Sequence, residues 1–331
     1  MPLSREDKEI YARAKADNLA SSRPFTPSNA IWKDVSNDFI EIFKGKGGLL
    51  KIEDQKFNER FSTRLDQNHA CYDVYASHMG TKLQKRHVKK DRSSYWNACV
   101  LLYDYVQKND EFDLLKRTNT SESENTIRIN DNVPVSWDYL MSVHSVTVMA
   151  KHVPGLLTDS KVILDLGAGW GRIGHLLLQA NKDVTYVVLD LPESMMMSRH
   201  RLKQLFPEKQ VLDYDELAAM NKITHESLSE SPRLVFGGSH HLPKFSDKSI
   251  DLFVSINSMQ EMDPGDQEQY LDLIENRTEF FYIMAHESPI NKIEKTFSSY
   301  SWPKSWKQRH YVRAGKMFFY PDFFEAIFQS R

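Results

Sequence analysis

The chain has 331 residues, with 43 Lys and Arg against 45 Asp and Glu, a formal net charge of -2 and 27% charged residues. Such a balance lacks the basic excess that attracts nucleic acid or an anionic membrane. No apolar run approaches the roughly 18 residues of a membrane span, and Met1-Pro-Leu-Ser-Arg-Glu-Asp-Lys8 is too polar for a signal peptide. The expectation is a cytoplasmic protein without nucleic-acid or membrane partners. Cys71 and Cys99 lie far apart without metal-type spacing and read as small buried hydrophobes. The length accommodates two units, which we place at residues 1–131, a mainly helical extension, and 132–331, an α/β domain.

In chain order, residues 4–19 are charged or small and suit an exposed helix, broken by Ser21-Ser-Arg-Pro-Phe-Thr-Pro27. Ile31, Trp32, Val35, Phe39, Ile40 and Phe43 recur at helical spacing until Gly45-Lys-Gly-Gly48 stops them. Residues 57–69 and 72–79 read as further helices, and 95–106, which contains Tyr95, Trp96 and Tyr103, is the strongest helix of the extension. Thr118-Asn-Thr-Ser-Glu-Ser-Glu-Asn125 offers nothing to pack and reads as a solvated loop. Residues 139–152 are apolar enough for a helix against a sheet. Trp137 at its start and His144 within it are candidates to shape a substrate pocket, although a histidine on an apolar helix is more often a packing residue.

Val162-Ile-Leu-Asp-Leu166 is a short apolar run of the kind buried on both faces of a parallel sheet, and glycines separate it from the helical His175-Leu-Leu-Leu178. This strand, glycine turn and helix start form a nucleotide-type binding loop. Gly169-Trp-Gly-Arg-Ile-Gly174 alone fits a dinucleotide pattern, so an NAD-binding oxidoreductase is one reading. Asp165, two positions before Gly167, favours another. A carboxylate there repels a pyrophosphate, whereas S-adenosylmethionine carries an ammonium and a sulfonium that a nearby acid attracts. Val184-Thr-Tyr-Val-Val-Leu-Asp190 is a second strand ending in an acid, about 20 residues past the glycines, where a carboxylate holds ribose hydroxyls. Asp190 could instead cap the helix entered through Pro192. Met195-Met-Met197 reads as core filling.

Leu234 to Phe236 is a third strand and Gly237-Gly-Ser-His-His-Leu-Pro243 a loop after it. Ile250 to Ile256 is a fourth strand, leaving through Asn257-Ser-Met-Gln-Glu-Met262, and Phe280 to Ala285 a fifth, ending at His286-Glu287. Residues 306–314 and 316–320 flank Gly315 like a hairpin.

The string Asp165-Leu-Gly-Ala-Gly-Trp-Gly171 closely resembles motif I of class I S-adenosylmethionine-dependent methyltransferases. The resemblance spans residues 137–328 and implies a Rossmann-like, doubly wound α/β fold: a seven-stranded sheet closed by a C-terminal antiparallel hairpin. It implies cofactor contacts at Asp165, Gly167, Ala168, Gly169 and Gly171, at Asp190 with Leu191, at Ser239 and His240 beside the adenine, and at Asn257. The acid frequent in that adenine loop is missing, which shifts recognition toward backbone or hydroxyl contacts. Asn257-Ser-Met-Gln-Glu-Met262 and the helical extension are similar to sugar O-methyltransferases of bacterial glycan and natural-product pathways.

A sugar hydroxyl is a poor nucleophile at neutral pH, so methyl transfer to it calls for a base. Glu261 is the first candidate, because an acid in an apolar stretch needs a reason to be there; a helix-start acid is the plainer alternative. His286 and Glu287 are the second. Glu261 with either could also hold a divalent metal, although no spacing demands one. The expected function is O-methylation of a small-molecule or glycan acceptor, with an N- or C-methyltransferase of another metabolite as the nearest rival. Homo-oligomerisation stays open.

Overall fold

The computed structural model describes residues 4–21, 94–120, 126–129, 132–287, 296–313, 316 and 323–330. The helices expected over 31–43, 57–69 and 72–79, Cys71 and most of 316–320 lie outside the described residues.

The centre is an eight-stranded sheet. In chain order its strands are β3 (Val162–Leu166), β4 (Thr185–Asp190), β5 (Gln210–Leu212), β6 (Arg233–Gly238), β7 (Ile250–Ile256), β8 (Thr278–His286), β9 (Lys307–Val312) and β10 (Phe323–Gln329). They lie side by side as β5-β6-β4-β3-β7-β8-β10-β9. All neighbours are parallel except β10, which runs antiparallel to both β8 and β9. A separate two-stranded hairpin pairs β1 (Ile127–Ile129) with β2 (Val133–Val135).

The expected seven strands become eight because β5 adds three residues beside β6. The terminal antiparallel pair is present, but the partner of β9 is Phe323–Gln329 rather than the segment after Gly315. This strand lies between two others and buries five consecutive residues, Phe324 to Phe328.

Side chains alternate between two cores. Ile163, Val188, Phe236, Val254 and Tyr282 face one layer. It is built of α1 (Arg5–Ala20), α2 (Ser94–Asn109), α4 (Trp137–His152), α5 (Arg172–Ala180) and α6 (Pro192–Leu205). Leu164, Leu166, Val187, Val235 and Phe281 face the other. There they meet α7 (Tyr214–Ala219), α8 (His225–Ser229) and α9 (Pro264–Glu275). The sheet is therefore doubly wound. From β3 the chain first builds toward β4 and β6, then returns to the other side as β7 and β8. The order reverses between β3 and β7, and ligands of such sheets bind at that switch point, outside the carboxyl ends of the strands.

Two expectations need correction. Helix α1 is capped by Ser4 and Asp7 bonding reciprocally, but it is not simply exposed: Ile10, Ala14 and Asn18, spaced by one turn, are buried. Arg199 on α6 pairs with Asp7 and Glu6 and with Asp213. Nor is the loop from Thr118 solvated at its start: Thr118 and Thr120 are buried, and Thr118, just after the short helix α3 (Leu114–Arg117), bonds the Tyr139 hydroxyl at 3.0 Å. Cys99 is buried, as its type suggests. Among the described residues, no helix is long and apolar enough to cross a membrane.

Candidate functional site

The glycine loop joins β3 to α5 at the switch point. Gly167, Gly169 and Gly171 all have left-handed backbone, at φ +73°, +60° and +83°, a region other residues enter at a cost. A Cβ on Gly167 would come within 2.4 Å of Ser258, whose hydroxyl donates to the Leu166 carbonyl at 2.6 Å. A Cβ on Gly169 would meet nothing within 4 Å, so the loop presents bare backbone to open space there. Ala168 is buried, and its carbonyl accepts the Gly171 N–H at 2.9 Å.

Asp190 ends β4 beside this loop. Its carboxylate accepts the Gly169 N–H at 2.9 Å and the Leu191 N–H at 2.7 Å. The N-cap of α6 is Leu191, without a side-chain bond, so Asp190 ties the strand end to the glycine loop rather than capping the helix. Burial pushes its carboxyl up to about 8, against those two N–H groups, and the charges of Asp165 and Glu261 add to the rise. Asp165 is 3% exposed and takes a hydrogen bond from the Tyr186 hydroxyl. Burial raises it to about 6, opposed by Tyr186 and by the charge of Arg172. Asp165 lies under the loop, not at an open strand tip.

Asn257 leaves β7 with left-handed backbone, φ +58°, and its N–H donates to the Met284 carbonyl at 3.0 Å. Three buried polar atoms around these strand ends have no hydrogen-bond partner among the described residues: Asn257 Oδ1, Ser194 Oγ and His240 Nδ1. Buried polar atoms are seldom left so. For His240 the arrangement fixes a role. Tyr214 donates its proton to Asp17 on α1 at 2.7 Å, so at its 3.2 Å contact with His240 Nε2 the tyrosine oxygen must accept. Nε2 then carries the ring proton of the neutral imidazole and Nδ1 is an acceptor. Ser239 is buried and bonds the Tyr270 hydroxyl.

The acid and histidine candidates separate. Glu261 ends a 3-10 turn, Met259–Glu261, before the N-cap Asp263 of α9, so it precedes the helix rather than opening it. Its charge adds to the rise at Asp190. His286, by alternation along β8, shares the face of Met284 and Tyr282; its N–H donates to Gln260 and its ring meets Phe323 edge-on at 4.7 Å. Glu287 turns the other way and accepts the Phe297 N–H at 2.9 Å.

Trp137 is 2% exposed at the head of α4. His144 sits with its Nε2 3.3 Å from Glu325, a residue that no sequence pattern singled out. Glu325 is 1% exposed, accepts the Tyr282 hydroxyl at 2.6 Å and lies 3.3 Å from His310 Nε2. Burial disfavours its charge, but these partners prevail and hold the carboxyl well below the usual range. The signal was available: an acid inside Phe323-Phe-Glu-Ala-Ile-Phe328 is as anomalous as Glu261. Among the described residues no group of three or more His, Cys, Asp or Glu side chains is arranged to hold a metal ion.

No protein-family profile and no curated protein matches the sequence. Solved structures do. A SAM-dependent methyltransferase from Aquifex aeolicus shares 11% identity over 69% of this chain and 98% of that one, with a TM-score of 0.37. The mitomycin 7-O-methyltransferase MmcR shares 10% over 58% and 57%, with a TM-score of 0.34, and the small RNA methyltransferase HEN1 10% over 56% and 25%, with a TM-score of 0.37. Likenesses this loose carry no functional weight. At the strand ends, the switch point of the parallel sheet has a bare glycine backbone, two buried carboxylates and three buried polar atoms without a partner among the described residues.

Proposed function

We propose that the protein is an S-adenosylmethionine-dependent methyltransferase that methylates a hydroxyl oxygen, with a sugar, free or within a glycan or nucleotide-linked unit, as the acceptor. The observation that supports the cofactor is the pair of buried carboxylates flanking the glycine loop. Asp165 and Asp190 both sit in surroundings that disfavour their charge. A pyrophosphate would make this worse. A ligand bringing an ammonium, a sulfonium and two ribose hydroxyls would make it better, by charge and by hydrogen bonds to the ionised forms. The Asn257, Ser194 and His240 atoms without a partner among the described residues, and the open space over Gly169, fit a ligand with polar groups along its length.

When bound, the cofactor supplies an electrophilic methyl on sulfur. The protein's own part is to place the acceptor oxygen and take its proton. Glu261, at the exit of β7 and close enough for its charge to act on Asp190, is the group we assign to that proton. His286, at the end of the neighbouring strand β8, is the reserve candidate. Glu287, engaged with Phe297 on the opposite side, is better suited to holding the chain. The acceptor class rests on the Asn257–Met262 string and the helical extension.

Titration calorimetry with S-adenosylhomocysteine and with NAD separates the cofactor readings: binding of NAD alone would sink this proposal. For the acceptor, mass spectrometry of sugar nucleotides and oligosaccharides incubated with enzyme and donor should show a gain of one methylene. If only amines or carbon acids gained it, the oxygen assignment would fall.

A further inference from the structure

Helix α1 reaches the strand ends through a relay of two hydrogen bonds. Tyr214, 1% exposed at the start of α7, donates its hydroxyl proton to Asp17 on α1 at 2.7 Å, and its oxygen lies 3.2 Å from His240 Nε2. Burial and the bond to Asp17 raise Tyr214 above the usual phenol range, so the proton stays on the tyrosine. Burial lowers His240, against the charge of Asp17 and with that of Lys244, so its imidazole is neutral. A neutral imidazole has one N–H and one bare nitrogen. With the tyrosine proton committed to Asp17, the bare nitrogen is Nδ1.

That nitrogen lies over the end of β6. A Cβ on Gly238 would come within 2.7 Å of it, and Gly238 is the register partner of Asp190 on β4. Nδ1 is buried and has no hydrogen-bond partner among the described residues. The neighbouring His241 ring, 4.3 Å away, turns its own Nδ1 to the Gly238 N–H at 3.2 Å. The far end of the relay belongs to a helix held largely by polar contacts: Arg199 with Asp7 and Glu6, Arg13 with Asp215, and the Tyr11 hydroxyl on Glu193 at 2.9 Å. Once α1 leaves, Tyr214 has no carboxylate to serve. A phenol is a far stronger acid than a neutral imidazole N–H, so it then donates to Nε2 and the ring hydrogen moves to Nδ1.

We propose that docking of α1 sets the hydrogen-bond polarity of the pocket beside Asp190: with Asp17 in place His240 presents an acceptor to an amine of the ligand, and with α1 released it presents an N–H instead. Asp17 and Tyr214 are positioning residues that act through His240. The ligand's amine rests on the S-adenosylmethionine reading, since adenine carries one; the relay itself stands on the protein's own bonds. Helix and ligand are thereby linked, and an amine on Nδ1 favours the docked α1 by the same factor as the docked α1 favours the amine.

Nuclear magnetic resonance of the full chain, isotopically labelled at the histidine ring nitrogens, reads the tautomer directly, because protonated and bare nitrogens resonate far apart. The signals lost in His240→Gln assign the ring. The parent should show Nε2 protonated and Nδ1 bare. In Asp17→Ala the two should exchange, whether the helix stays docked or comes away, and in Tyr214→Phe, which removes the shared oxygen, both forms should be present. Calorimetry then compares S-adenosylhomocysteine with its inosine counterpart, in which a carbonyl replaces the amine. The parent should prefer the amine by about 10–100-fold, the range for a bond made against a buried acceptor left facing another acceptor. Asp17→Ala should bring that ratio below about threefold. Each readout is a ratio within one protein, so a loss of folded material does not mimic it. A parent with Nδ1 protonated, or an Asp17→Ala variant that keeps the parent tautomer, overturns the relay. A tautomer that inverts while the ratio stays put overturns its role in choosing the ligand. If neither compound binds, the S-adenosylmethionine reading falls and the amine with it, while the spectra still decide the relay.

Discussion

Asp190 makes the cofactor proposal measurable through protons. With its carboxyl at about 8 in the free protein, about 0.9 of the molecules carry the proton at pH 7 and about 0.1 at pH 9. Two ribose hydroxyls donating to the ionised form would bring it below 6, so binding S-adenosylhomocysteine should release about 0.8 proton at pH 7 and almost none at pH 9. Calorimetry in buffers of different ionisation enthalpy reads that number directly. Asp190→Asn should abolish the release and weaken binding by roughly 1–3 kcal/mol. The same group bears on stability. A carboxyl whose folded value is raised favours the protonated form, so nothing is lost below about pH 4, and stability falls as pH climbs toward 8. The Asn variant escapes that loss, and its stability relative to the parent should rise by a few kcal/mol between pH 4 and 8 and then level off, as followed by urea unfolding. Binding with no proton release at pH 7, or an equal release from the Asn variant, would refute the role of Asp190.

Glu261→Gln should lower turnover by roughly 10²-fold with donor affinity near normal; an unchanged rate would move the proton to His286. Gly169→Val should cost about 1–2 kcal/mol of stability from its left-handed backbone yet abolish cofactor binding, because its side chain would enter the open space over the loop; a variant binding normally would show that the ligand lies elsewhere. Glu325→Gln should destabilise the protein by roughly 2–4 kcal/mol at pH 7. Because the parent's carboxyl is depressed, its stabilisation is present above the unfolded value and lost as pH falls, so the gap should narrow below about pH 4, as acid and urea titrations would show.

The sequence exposed the parts whose physics is local. The run Val162–Leu166 with its glycines, the acid closing β4 and β7, buried but for Asp251, are each legible in a few residues, because parallel strands covered on both faces leave short apolar runs and left-handed turns demand glycine. What escaped depends on partners distant in the chain. Arg172 and Asp138, which bond each other, are 34 residues apart and unremarkable in either context. Three-residue β5 lacks a full alternation. Strand β10, lying between two strands, shows no alternation, and Glu325 interrupts its apolar run, so the nearer Gly315 drew the hairpin too early. Helix α1 turns only Ile10, Ala14 and Asn18 inward and holds on through Tyr11, Asp17 and Asp7, polar residues that look like solvent-facing ones until their partners are placed.

Those partners lie far along the chain: Tyr11 to Glu193 spans 182 residues, Asp7 to Arg199 192, and Asp17 to Tyr214 197. At synthesis rates of about 5–20 residues per second, α1 waits roughly 10–40 s for its docking surface. Alone, a 16-residue helix is marginal in water. This helix, made before those partners, is therefore among the last to become ordered, and Asp17 reaches Tyr214, and through it His240, only once α6 and α7 are in place. Ordering of α1 thus reports completion of the sheet's β4–β6 half, and amide exchange along residues 5–20 would time that event in refolding.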